Sequence, residues 1–134
     1  MTDTQATLLA LVKSALFGTA YTLSDGVDVP AVLAAARAHG ATALAYYGAV
    51  NCGVDASSEA MRDAFARVCR ELLVGERQTA DVACLAEELR QCGADFMPLK
   101  GSIIRSLYPK QEMRSMGDAD ILIKISKWQS WVVW

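Results

Sequence analysis

An unbroken helical pattern opens at Ser57 or Ser58, with Glu59 in its first turn, and runs to Cys92, after which the period of the apolar residues changes. Met61, Phe65, Val68, Leu72, Ala80, Ala83, Leu85 and Leu89 recur at helical intervals. The charged residues between them, from Arg62 and Asp63 to Glu88 and Arg90, read as a solvated face braced by i to i+4 pairs. Gly75 costs ~1 kcal/mol relative to alanine in mid-helix. It therefore marks a kink or the close approach of a neighbour, and the pattern allows one long helix with a weak point or two helices. Gln91-Cys92-Gly93 closes it with a glycine C-cap.

Ahead of that segment the chain is helical throughout. Leu8, Leu9, Leu11, Val12, Ala15 and Leu16 define a first amphipathic helix from Thr4 to about Phe17, stopped by Gly18. Asp28 can cap a second helix whose first turn accepts Pro30, and the helix runs to His39-Gly40. His39 is the only histidine, and its place suits a cation at a helix C-terminus. A third helix spans Ala41 to about Val50. Its Tyr46 and Tyr47 could stack on a base, although packing between helices is the stronger expectation.

From Asp95 the pattern turns to strands. Phe96-Met97-Pro98-Leu99 is a short buried strand, with Pro98 favouring a sheet edge. Ser102 to Leu107 forms a short helix ended by Tyr108-Pro109. A polar loop follows, then a second strand from Asp118 to Ile125. On that strand Asp118 and Asp120 share one face, with Ala119 and Ile121 pointing inward.

Two carboxylates so placed repel each other unless a cation lies between them. Magnesium suits such a pair, because it takes carboxylate and phosphate oxygens together. Gly101 and Ser102, at a strand-to-helix turn, let the backbone approach a polyphosphate and offer it amide groups. Lys100 or Arg114 can neutralise phosphate charge, and the planar fork of Arg114 is the better fit. The competing reading makes the acid pair part of a solvent-exposed edge strand. It also pairs Arg114 with Asp118 or Glu112 and points Lys100 outward into water.

Leu99-Lys100-Gly101, Tyr108-Pro109, Arg114 and Asp118-Ala119-Asp120-Ile121 together resemble the uncharacterised nucleotidyltransferases, a branch of the DNA polymerase beta-like superfamily. The resemblance implies an α+β fold: a helical N-terminal layer of four to five helices over residues 1–93, then the strand-helix-strand start of a nucleotidyltransferase sheet over 94–134, in one compact unit. It implies transfer of a nucleoside monophosphate from a nucleoside triphosphate to an acceptor by a two-metal mechanism. Asp118 and Asp120 would be the catalytic magnesium ligands, and Gly101, Ser102, Lys100 and Arg114 would hold the nucleotide. The superfamily uses a third carboxylate on a later strand, whereas no Asp or Glu follows Asp120 here. The expectation is therefore a truncated form of a longer enzyme. Its alternatives are a catalytically incomplete nucleotide-binding module and a helical partner-binding protein.

Composition narrows the remaining classes. A net charge of −2 over 134 residues gives no electrostatic footprint for nucleic acid. The motif region is locally basic through Lys100, Arg105, Lys110, Arg114, Lys124 and Lys127, most of them expected in solvent. Cys52, Cys69, Cys84 and Cys92 lack zinc spacing and read as buried thiols in a reducing cytoplasm. No signal peptide or membrane span is expected. Trp128, Trp131 and Trp134 would form an exposed apolar patch unless they pack back on the body, so self-association or a protein partner through them is a further expectation.

Overall fold

The first three helices are short and contain several alanines, and the first two begin on a residue whose side chain accepts from a loose backbone amide. In the computed structural model, which describes residues 2–115, 117–125 and 130–133, with the backbone alone for Ser102, Ile125 and 130–133, α1 spans Asp3–Phe17. Thr2 and Gln5 form a reciprocal capping box at its start, and Gly18 closes it in the left-handed conformation at φ 68°. α2 spans Val29–Ala38, and the Asp28 carboxylate accepts a 3.0 Å hydrogen bond from the Ala31 amide. His39 is its exposed C-cap. α3 spans Thr42–Asn51.

These helices and the first half of α4, Glu59–Gln91, enclose one core of Leu11, Val32, Leu33, Ala36, Ala45, Ala49, Met61 and Ala64. Small side chains set its tightness. Ala36, Ala45 and Ala49 are wholly buried, and Gly48 faces the backbone of Leu11 so closely that a methyl group would overlap the Leu11 carbonyl.

α4 is continuous over 33 residues, about 50 Å at the usual helical rise. Gly75 is a close-approach site, because the Arg105 guanidinium lies where its Cβ would be. From just before its midpoint the helix carries Leu72, Leu73, Val74 and, further on, Leu85 in exposed positions.

Beyond α4 the chain forms a three-stranded antiparallel sheet in the order β1-β2-β3, with β1 Phe96–Pro98, β2 Ile121–Ile125 and β3 Ser130–Val133. Pro98 lies in an edge strand, where its missing N–H costs no ladder bond. Between β1 and β2 come α5, Gly101–Ile104, a 3-10 turn at Arg105–Leu107 and another at Gln111–Met113. The fold is α+β with an N-terminal helical layer.

Three expectations need correction. β2 begins at Ile121, so Asp118 and Asp120 precede the strand, and Ala119 is exposed rather than inward, whereas Ile121 is buried as expected. Arg105 is buried among the supposedly solvated basic residues, because its long side chain reaches back to the glycine gap in α4. The four cysteines are unbridged, but Cys84 and Cys92 are exposed, because the distal half of α4 has few neighbours. Trp128 and Trp134 lie outside the described residues, and for Trp131 only its place opposite Lys124 in the sheet is described. Among the described residues no helix is long and apolar enough to cross a membrane.

Candidate functional site

The two halves of the motif meet where β1 and β2 leave their ladder. Pro98 pairs with Ile121, and the Leu99 amide then donates to the Asp120 carbonyl at 2.8 Å. That extra bond sets Lys100 beside Asp120. The lysine Nζ lies 3.1 Å from Asp120 Oδ2, with the lysine side chain 73% exposed and the aspartate 26%. An ion pair this open adds little stability. Its meaning is positional: a cationic group already rests on the carboxylate.

Lys100 is also the one described non-glycine residue with positive φ, at φ 45° and ψ −110°. A side chain in that region costs on the order of 1–3 kcal/mol. The turn before α5 is therefore strained at Lys100. α5 is four residues long, with the Ile103 and Ile104 amides donating to the Lys100 carbonyl at 3.1 and 2.9 Å. So short a helix has little dipole, and any grip on phosphate falls to the amides of the turn itself. Gly101 is half-buried at its start, and the Ser102 hydroxyl lies outside the described atoms.

The segment carrying Arg114 and Asp118 is held by several contacts with the helical layer. Tyr47 on α3 donates its hydroxyl to Glu112 Oε1 at 2.5 Å, with the Lys110 ammonium 4.7 Å over the same ring. Burial, and then the neighbouring Glu112 carboxylate, push the Tyr47 phenol well above its usual value. Gln78 on α4 donates from Nε2 to the Gly117 carbonyl at 2.8 Å, one residue before Asp118. Arg105 donates from Nε to the Gln111 carbonyl and from Nη1 to Thr79 Oγ1, each at 3.1 Å.

Arg114 and Asp118 are both exposed. Among the described residues Arg114 forms no ion pair with Asp118 or Glu112; it lines a cavity against α4 instead. Among the same residues no three His, Cys, Asp or Glu side chains converge. The hard oxygens of Asp118 and Asp120, one already engaging an ammonium group, are of the type that holds magnesium.

Sequence reading overlooked Gln78 and did not single out Arg105. Neither shows a local signal, since their partners lie 39 and 26 residues away. The glycine in mid-helix was the only hint, because it announced that something packs there.

A helical layer, an antiparallel sheet and a Lys-Gly turn beside an Asp-x-Asp segment define a nucleotidyltransferase-like α+β protein. The family described as uncharacterised nucleotidyltransferase matches residues 25–129, and the chain belongs to that family. The match takes in the helical layer from the loop before α2 onward, not the motif alone. No curated protein and no solved structure matches the chain.

Proposed function

We propose that the chain binds a nucleoside triphosphate with magnesium and transfers its nucleoside monophosphate to an acceptor, with Asp118 and Asp120 as the metal ligands. The observation that carries this reading is the meeting of Lys100 and Asp120 at 3.1 Å, which joins the phosphate-side turn to the acidic segment.

Asp118 and Asp120 would hold magnesium, which would supply charge stabilisation for the phosphates and for the pyrophosphate that leaves. The backbone of Gly101 and Ser102 holds the terminal phosphates by its amides. Lys100, whose ammonium lies beside Asp120, would offer its charge to a phosphate oxygen. Arg114 supplies a planar fork to the same polyphosphate. The Leu99–Asp120 backbone bond keeps turn and carboxylate in register.

Binding without turnover is the second reading, favoured because no three His, Cys, Asp or Glu side chains converge among the described residues. Calorimetric titration with magnesium and each nucleoside triphosphate, run beside the Asp118→Asn/Asp120→Asn double variant, tests both. Magnesium-dependent heat that vanishes in the double variant supports the site, and pyrophosphate release in an acceptor screen then separates transfer from binding. Equal traces from the two proteins would sink the nucleotide reading.

A further inference from the structure

A cavity of about 150 Å³ lies between the middle of α4 and the segment that leads to Asp118, lined by Arg70, Glu71, Gln78, Arg105 and Arg114 among others. We propose that it is an oxyanion subsite that receives one phosphate or carboxylate group, with Arg105 as its buried cation and Arg70 and Arg114 at its mouth.

Arg105 is the reason to look for a ligand there. It is 3% exposed, and a guanidinium cannot shed its charge to escape burial. Buried charges are ordinarily paired with an opposite charge. Here the described partners are neutral, a carbonyl at Gln111 and the Thr79 hydroxyl, and Nη2 has no partner among the described residues. Gln78 lines the same cavity, and its buried Oε1 is likewise without a partner. Two residues that line the cavity thus each carry a buried polar atom without a partner among the described residues, a donor on Arg105 and an acceptor on Gln78. A protonated oxyanion offers the complement of each, an O–H for Gln78 and an acceptor oxygen for arginine.

Size and charge agree with that occupant. One water claims about 30 Å³ of liquid, so the cavity has room for a tetrahedral oxyanion rather than a single solvent molecule. Three guanidinium groups face one carboxylate, Glu71, which burial shifts toward its neutral form even though Arg67 opposes the shift. Gln78 also holds Gly117, so a group seated here is tied through one side chain to the backbone that presents Asp118. The inference rests on the nucleotide reading for its purpose, though not for its detection.

The test is thermal unfolding of the full chain in inorganic phosphate against sodium chloride at equal ionic strength, without magnesium or nucleotide. A ligand bound only by the folded state raises the midpoint as its concentration passes its dissociation constant. The wild type should be stabilised by phosphate beyond chloride. Arg70→Ala and Arg114→Ala, both surface changes, should each weaken the apparent affinity about tenfold, roughly the loss of one charge-assisted hydrogen bond. Arg105→Lys should abolish the response, and the two surface variants keep the test decisive if it does not fold. Identical midpoints in phosphate and chloride, as a water-filled cavity would give, overturn the subsite. So does a response that survives unchanged in both surface variants.

Two further arms separate this proposal from the nucleotide reading and identify the source of the oxyanion. Asp118→Asn/Asp120→Asn should keep its phosphate response. A response lost in wild type while magnesium-nucleotide binding persists overturns the subsite alone, and the reverse result overturns the nucleotide reading alone. Where both hold, saturating magnesium nucleotide cancels the phosphate effect if the nucleotide's own phosphate fills the cavity. An additive effect assigns the cavity to an acidic acceptor.

Discussion

The helical layer and the motif region are built by different means. Around Leu11, Ala45 and Met61 the chain buries apolar side chains completely and lets α1 and α3 touch backbone to backbone at Gly48. Around Lys100, Arg114 and Asp118 the elements are short, mostly exposed and fastened by single polar contacts from Tyr47, Gln78 and Arg105. Packing fills one region and tethers position the other. Stability should therefore concentrate in the layer, while ligand binding answers to a few side chains whose loss leaves the fold standing.

The largest expected loss comes from Gly48→Ala. A methyl group would overlap the Leu11 carbonyl, and backbone cannot step aside as a side-chain tip can. Separating α1 from α3 should cost about 3 kcal/mol, well beyond the ~1 kcal/mol gained in helix propensity. Urea unfolding would show a lower midpoint with an unchanged slope. A stabilised Gly48→Ala protein would mean that the layer is not tightly packed there.

Next in size is Tyr47→Phe, expected to cost about 1–3 kcal/mol because Glu112 is left buried without its donor. Its pH dependence carries a sign. The folded phenol holds its proton above the ordinary value of 10.0, so beyond that pH the unfolded chain loses a proton that the folded chain keeps. The folded state then binds more protons, and stability falls as pH rises. Wild type should lose stability more steeply than Tyr47→Phe above about pH 10, measured by unfolding at a series of alkaline pH values. Parallel curves would show that the tether is not made in solution.

Legibility follows the same division. The four main helices were readable because each depends on local matters: apolar spacing, the Asp28 cap, the glycine stops at Gly18 and Gly93. The edge position of Pro98 was readable for the same reason. The strand start was not, since Asp118-Ala119-Asp120-Ile121 alternates like a strand while the chain at Asp120 is still leaving the loop. Pairing with β1 ends at Pro98 opposite Ile121, and only that long-range register decides where β2 begins. Arg105 looked like any surface arginine, because burial of a charge depends on a gap opened at Gly75, thirty residues earlier.

That gap gives a smaller prediction. Gly75→Ala gains ~1 kcal/mol of helix propensity but evicts the Arg105 guanidinium, with its bonds to Thr79 and Gln111. Two hydrogen bonds are worth about 1–3 kcal/mol together, so the net cost should be about 1 kcal/mol. The phosphate response should fall with it. A variant that is more stable than wild type yet unchanged in phosphate would show that Arg105 contributes nothing where it lies.

Lys100 should have the least effect on stability and the sharpest effect on function. Its ion pair with Asp120 is open to water, so Lys100→Ala should change the unfolding free energy by less than about 0.5 kcal/mol. Lys100→Gly should be the more stable of the two, by about 1 kcal/mol, because alanine keeps the penalty of φ 45° and glycine removes it. Binding should split in the opposite sense. Magnesium alone should bind either variant more tightly, since no ammonium competes for Asp120, whereas magnesium nucleotide should bind more weakly for want of a cation on its phosphates. Calorimetry with each ligand separates the two effects. If both affinities move together, the lysine is an ordinary surface charge, and the strained turn at Lys100 has some other cause.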